Sequence, residues 1–258
     1  MYRFLLKPKW IAFHVLCIAA IGGMIAAGAW QLGRHFERER FKDDVIARTD
    51  ADVVPFASLD LSDPAAVEWR RVEVTGFYLP DKNFTVVNVS QAGSGGTDGV
   101  NGLALDDGTV LIVNRGFVAA PTKVPSAPTG EVTFIGRVRL SQKPRLGQAA
   151  DDGSQTLTEI RRVDLDALSQ QFTEKVQPVY VDQIEMKYEP SYVSAVAFPD
   201  LDGGPPHLSY TIQWFVFSIA VAAGWVLAVR KSVRERNRKF KPRKRKHIPI
   251  DDSRSQVR

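Results

Sequence analysis

Hydrophobic positions fall along this chain in three regimes. From Trp10 to Gly33 the sequence WIAFHVLCIAAIGGMIAAGAWQLG carries no formal charge, and from Gly203 to Val229 charge is again absent with His207 neutral. About 30 Å of hydrocarbon at 1.5 Å per helical residue needs about 20 apolar residues to cross. Both runs reach that length, so two transmembrane helices are predicted, at 10–33 and 207–229.

Between the runs the period changes twice. RHFERERFKDDVIAR continues the first helix outward, with Phe36, Phe41, Val45 and Ile46 as an intermittent apolar stripe, until Pro55 and the DLSDP stretch stop it. From Arg70 the pattern alternates with period two. RRVEVTGFY, FTVVNV, TVLIVNRGFV, EVTFIGRVR, TLTEIRRV, PVYVDQ and YVSAVAF read as strands, and DDG at 106–108 reads as a hairpin turn. DLDALSQQF reads as one short helix with Asp164 as N-cap and Leu165, Leu168 and Phe172 on one face. SQAGSGGTDG reads as a mobile glycine-rich loop; aspartate at position 98 breaks any G-x-G-x-x-G phosphate pattern. The predicted fold class is a membrane protein in which two transmembrane α-helices flank a β-rich α+β exported domain. Its parts are an N-terminus at 1–9, spans at 10–33 and 207–229, the exported domain at 34–206 and a basic tail at 230–258.

Charge orients this arrangement. Residues 230–258 hold thirteen Lys/Arg against three acidic residues, and Arg3, Lys7 and Lys9 precede the first run. The segment 33–210 is net acidic, with eighteen Lys/Arg and twenty-six Asp/Glu. The positive-inside rule then places both termini in the cytoplasm and the central domain outside. The first run is longer than the h-region of a signal peptide and ends in AWQLGR rather than a small-x-small site, so an uncleaved anchor is expected. Nine residues before it leave little room for a mitochondrial presequence, which favours a bacterial cell membrane. The tail reads as stop-transfer and anionic-lipid contact, with no nucleic acid expected.

Candidate chemistry is sparse. The one cysteine, Cys17, lies inside the first run, and of the four histidines only His35 and His207 fall in the outward segment, both beside the membrane. A Ser-His-Asp site within the β domain therefore lacks its histidine, and a membrane-anchored hydrolase has little to be built from. On a helix Gln31, Arg34 and His35 share one face, and His207, Tyr210 and Trp214 share another. Antiparallel spans bring both clusters to the same outer surface. Trp30, Tyr210 and Trp214 suit an interfacial aromatic belt and Arg34 an ordinary flank. His207 is either a solvated interfacial imidazole or a ligand, since an imidazole can hold haem iron.

GAWQLGR, RRVEVTGFY, DDGTVLIVNRGFV, RRVDLDAL, PVYVDQ and HLSYTIQWF appear in this order. Together they resemble the Surfeit locus family of assembly proteins for haem-copper cytochrome c oxidase. Trp30, Gln31 and Arg34 match the family's first motif; Asn114, Arg115 and Gly116 match the second; His207, Tyr210, Gln213 and Trp214 match the third. The resemblance implies a non-enzymatic assembly factor for the oxidase that assists haem a insertion into subunit I at the outer face. Its expected partners are subunit I, other oxidase assembly factors and membrane lipids. His207 is the haem iron ligand the resemblance suggests, with Arg34 and Arg115 as expected partners for haem propionates. Phe117 stands where the family usually has Trp, and prolines precede His207 where a polar residue is common. The rival expectation is a cofactor-free scaffold that binds oxidase subunits, with Asn114, Arg115 and Gly116 forming a structural turn.

Overall fold

The computed structural model describes residues 3–203 and 206–239. In chain order its elements are α1 (Pro8–Asp50), β1 (Val54–Pro55), α2 (Pro64–Val67), β2 (Arg71–Gln91), β3 (Ser94–Ala104), β4 (Val110–Ala119), β5 (Glu131–Leu140), β6 (Glu159–Ile160), α3 (Leu165–Leu168), β7 (Val176–Gln183), β8 (Val193–Ser194) and α4 (His207–Lys239). They form two compact units. One is drawn from the two ends of the chain, Met1–Glu39 and Gly204–Arg258; the other is Arg40–Gly203.

In the central unit the strands close on themselves. β2 is long enough to serve two neighbours: its first half pairs with β5, its second with β3, and Phe77 faces Glu131 on one side and Ala104 on the other. β3 pairs with β4, β4 runs parallel to β7, and β7 returns to β5. The ring β2–β3–β4–β7–β5 is a five-stranded barrel, which removes the exposed edges that an open sheet would leave. Register shifts at Tyr78/Asn83 and Val86/Val89 bend β2 between its two partners, as bulges do.

Alternate positions fill the barrel. Val72 and Val74 on β2, Leu111 and Val113 on β4, Val132, Phe134 and Val138 on β5, and Val179 and Val181 on β7 make one core. The opposite faces of β4 and β7 are covered as well, since Val110, Ile112 and Tyr180 pack with Phe84, Val100, Ile160, Val163 and Leu168 in a second core. Burial on both faces explains why TVLIVNRGFV reads as an unbroken apolar run rather than an alternation.

The DDG hairpin forms as expected, with Gly108 at positive φ and Leu105 donating to Thr109. The SQAGSGGTDG loop does not. Gln91 pairs with Ser94 across a two-residue turn, Ala92 (φ 50°) and Gly93 (φ 80°), and the rest of the stretch is strand β3. Two successive positive φ values match the twist of a hairpin. Glycines here admit close neighbours: a Cβ on Gly96 would stand 2.7 Å from the Phe117 ring and would collide with the Val118 carbonyl oxygen. TLTEIRRV and YVSAVAF shrink to two-residue strands because most of each segment covers the barrel instead of pairing along it. The short helix keeps its cap, with Asp164 accepting from the Asp166 amide, but ends at Leu168 and continues as a 3-10 turn to Gln171, leaving Phe172 extended.

The parity that fills the barrel also brings polar groups inside it. Arg115 follows Leu111 and Val113 on β4, and its guanidinium lies over the Tyr78 ring, 5.6 Å from the centroid. All five of its N–H donors are used: Nε and Nη2 grip Glu189 at 2.8 and 2.7 Å, Nη1 reaches Asn101 and the Pro125 carbonyl, and Nη2 also reaches the Ser126 carbonyl. Tyr78 donates to Gln183 at 2.9 Å beside it. Asn114 donates to Asp98 and accepts from the Gly116 amide, and Gly116 has φ 128°, a value open to glycine alone. The Asn114, Arg115, Gly116 motif is thus a bulged mid-strand segment, not a turn.

The helical unit holds α4 and the first 32 residues of α1. Each has a segment long and apolar enough to cross a membrane. The less exposed residues on α1 include His14, Cys17, Ile21, Met24, Gly28, Gln31 and His35; on α4 they include His207, Thr211, Trp214, Ser218, Val221 and Trp225. Both series step by three and four, the spacing of a coiled-coil seam. Small residues let the helices close in: a Cβ on Gly28 would lie 3.2 Å from the Phe215 ring. Ile18, Ile25, Val216, Phe217, Ile219 and Leu227 are exposed on the outer faces. Aromatic contacts link Phe4, Trp10 and His14, and Arg236 stacks on Phe4, 4.0 Å from its centroid. The basic tail beyond residue 239 lies outside the described residues.

Breaking a buried ion pair from one side costs about 3–5 kcal/mol, because the abandoned charge has no water to turn to. Arg115→Met, which strands Glu189, is expected to lower the unfolding free energy of the full chain by about that amount in a urea titration. A loss under about 1 kcal/mol would contradict the account of the barrel given above.

Candidate cofactor site at the paired helix ends

α4 begins where proline permits. The Pro206 carbonyl accepts from the Tyr210 amide, and His207 is the first helical residue. Thr211, one turn on, returns its hydroxyl to the His207 carbonyl at 2.9 Å. The imidazole Nδ1 of His207 meets the amide oxygen of Gln31 on α1 at 2.8 Å. An amide oxygen only accepts, so a neutral His207 carries its proton on Nδ1 and leaves the Nε2 lone pair open. Nε2 has no hydrogen-bond partner among the described residues, and His207 is half-buried.

The other expected site residues divide around this pair. Trp214 lies on the seam and meets Phe217 edge-to-face at 6.3 Å. Tyr210, three residues from His207, is 44 % exposed; Thr211, at 4 %, takes the covered position instead. Trp30 and Gln213 are exposed. Arg34 pairs with Glu37 at 3.0 Å, and both side chains are largely exposed. Such a pair contributes at most about 1 kcal/mol and leaves the guanidinium able to change partners.

Arg115 requires a correction. It belongs to the central unit rather than the helical one, and its five donors are all committed to protein acceptors. A propionate would have to displace Glu189 from a buried bidentate grip, so Arg115 serves the barrel.

Sequence reasoning assigned no role to His14, which forms a second polar bridge between the helices. Trp225 Nε1–H donates to His14 Nδ1 at 2.8 Å. A crevice of about 430 Å³ beside them is lined by His14, Trp225, Val226, Val229 and Arg230. The three-four spacing that runs from His14 through Cys17, Gly28 and Gln31 was the available signal.

Among the described residues no group of three or more His, Cys, Asp and Glu is placed to hold a metal ion. A haem axial position asks only for one nitrogen lone pair and apolar surroundings for the macrocycle. His207 Nε2 meets the first demand. Leu208, Tyr210 and Ile212 on the first turns of α4 and Trp30 next to Gln31 on α1 are exposed apolar or aromatic side chains of the kind the second asks for.

The SURF1 family profile matches residues 18–219. This chain belongs to the SURF1 family. A SURF1-like protein of Mycobacterium bovis is 30% identical over 247 residues, covering 91% of this chain and 89% of its own length. A SURF1-like protein of Mycobacterium tuberculosis matches to the same extent. One from Monosiga brevicollis is 27% identical over 221 residues, 79% of this chain and 82% of its own length. SURF1 proteins are linked to cytochrome oxidase assembly, and the matched span runs through the Gln31 and His207 motifs and the whole barrel.

The central unit carries its own titratable cluster. Asp182 lies within 3.5 Å of Arg137 and 3.6 Å of Arg139, yet burial pushes its carboxyl up to about 6, against an ordinary 3.8. Burial raises Asp98 as well, opposed by the Asn114 amide. A carboxyl raised in the folded state keeps a proton that the unfolded chain has released, so stability is lost as pH rises from about 4 to about 6. The thermal midpoint of wild type relative to Asp182→Asn is therefore expected to fall across that window and level above it. Stranding Arg137 shifts the variant equally at every pH. A difference that rises through the window would refute the assignment.

Proposed function

We propose that this SURF1 protein spans a bacterial cell membrane twice, with its basic flanks in the cytoplasm and its central unit outside. There it assists assembly of haem-copper cytochrome c oxidase. In this reading His207 Nε2 would hold the iron of haem a at the outer ends of the two helices, for delivery to subunit I. Haem supplies an iron that accepts one imidazole nitrogen. The chain supplies the nitrogen, the apolar surround and the exposed Arg34 as a partner for a propionate, whose planar carboxylate matches a guanidinium fork.

The observation that carries the reading is the Gln31–His207 hydrogen bond, which occupies one imidazole nitrogen and leaves the ligating one unpartnered. Support for the topology comes from the two exposed apolar helices and from the distribution of Lys and Arg. Subunit I, other assembly factors and lipid are the partners this function requires. The basic residues after Val229 suit contact with anionic lipid. No catalytic role is proposed. The buried Arg115–Glu189 pair, Asp98 and Asp182 are accounted for by the barrel.

Protein produced alongside haem a synthesis and purified in detergent is expected to carry haem, and His207→Ala to lose about nine-tenths of it, read from the absorption spectrum. Arg34→Ala is expected to weaken retention by less than about tenfold, in line with one exposed ionic contact. Full haem in His207→Ala would end the ligand assignment. Haem-free wild type that brings oxidase subunits with it would favour the cofactor-free scaffold.

A further inference from the structure

The helical unit has two histidines on one seam, and their hydrogen bonds have opposite polarity. His207 Nδ1 faces an amide oxygen, which can only accept. His14 Nδ1 faces an indole N–H, which can only donate. A neutral imidazole carries one proton, so each bond determines where that proton sits. In His207 it is on Nδ1 and the lone pair is on Nε2. In His14 it is on Nε2, and the lone pair on Nδ1 is taken by Trp225.

We propose that Gln31 is a positioning residue that sets the tautomer of His207, keeping the Nε2 lone pair available to a haem iron, while Trp225 imposes the opposite tautomer on His14 and withholds it from ligation. The role of Gln31 as support for a haem ligand rests on the function proposed above. The tautomers themselves do not. Gln31 is half-buried on the α1 side of the seam, with its amide held against the ring on the facing helix. The ring has no other acceptor for Nδ1–H among the described residues. An acceptor behind a ligating imidazole raises its basicity and stops the ring turning, and losing such a partner typically costs about 10–100-fold in affinity for the metal group.

The seam explains why this falls to Gln31 and not to its neighbours. Trp30 and Arg34 flank Gln31 in the sequence, but both side chains are exposed. Thr211 lies one turn from His207, yet its hydroxyl is spent on the His207 carbonyl. His35 shares the α1 face, but its ring meets that of Phe36, 5.7 Å away, on its own helix.

The test uses the full-length chain labelled with 15N-histidine, purified without haem and assigned through single His→Gln variants. Nitrogen resonances are expected to show a protonated Nδ1 and an unprotonated Nε2 for His207, with the reverse for His14. In Gln31→Leu the His207 proton is expected to move to Nε2 or to exchange between the two nitrogens. In Gln31→Glu, which keeps an acceptor oxygen, it is expected to stay on Nδ1. On haem-loaded samples Gln31→Leu should bind about 10–100-fold more weakly. Gln31→Glu should keep haem and lower its reduction potential, a shift that a merely structural glutamine would not produce.

A wild-type His207 protonated on Nε2, or a Gln31→Leu variant with the wild-type tautomer, overturns the proposal. If Gln31→Leu fails to fold, the wild-type and Gln31→Glu spectra still decide it. The two readings fail separately. Haem kept by His207→Ala, with the predicted tautomers in place, overturns the ligand assignment and leaves the tautomer assignment standing. Haem lost from His207→Ala, with tautomer and potential indifferent to Gln31, overturns the positioning role alone.

Discussion

A polar side chain taken out of water costs least where it finds a hydrogen-bond partner within the chain, and this constraint shapes contacts in both units of the molecule. In the barrel it gathers Arg115, Glu189, Asn101, Tyr78 and Gln183 into one connected group, in which the guanidinium spends every donor it has. In the helix pair it joins His207 to Gln31 and Trp225 to His14 across an otherwise largely apolar seam. An unsatisfied polar group in such surroundings costs several kcal/mol, which is why these contacts occur as pairs.

The pairs differ in what they leave over. Arg115 has no donor to spare, so it holds β4 to the segment carrying Glu189 and offers nothing to a ligand. His207 meets Gln31 with one of two nitrogens and keeps the other. His14 uses its only lone pair on Trp225 and is spent as an acceptor. Three strongly polar residues, each of a type found in functional sites, are thereby sorted by counting donors and lone pairs. Of the three, His207 alone keeps a nitrogen with no hydrogen-bond partner among the described residues.

The central unit is closed and cross-tied within itself. Its strands close into a ring, its cores lie on both faces of β4, and three arginines tie down the incoming helix. Arg70 and Arg71 donate to the carbonyls of Asp52 and Ala51 at the end of α1, and Arg48 reaches back to Ala65. Positive charge at a helix C-terminus is favourable there for the same reason that the carbonyls need donors.

Much of this was legible in the residues. Two uncharged runs of sufficient length, the period-two strands, the DDG hairpin and the Asp164 cap each depend on neighbours a few positions apart, and local chemistry decides them. Spacing alone also placed Gln31 and His207 on helix faces at the same end of the paired runs. What it did not supply was parity across strands and the polarity of contacts between helices. Arg115 read as a candidate for propionate because a sequence does not say that position 115 continues the inward series of 111 and 113, or that Glu189 waits for it. The glycine-rich stretch read as a loop because glycine has no side chain to carry a period-two pattern, whereas in the fold that missing side chain is what admits Phe117. Tyr210 and Thr211 exchanged places because a seam stepping by four and three follows packing against a partner helix. Composition, the length of the apolar runs and most element types belonged to the sequence, since each is set within a few residues. Which polar groups are spent and which remain free belonged to the tertiary structure, because hydrogen-bond partners such as Gln31 and His207 lie 176 residues apart and only folding brings a donor to its acceptor.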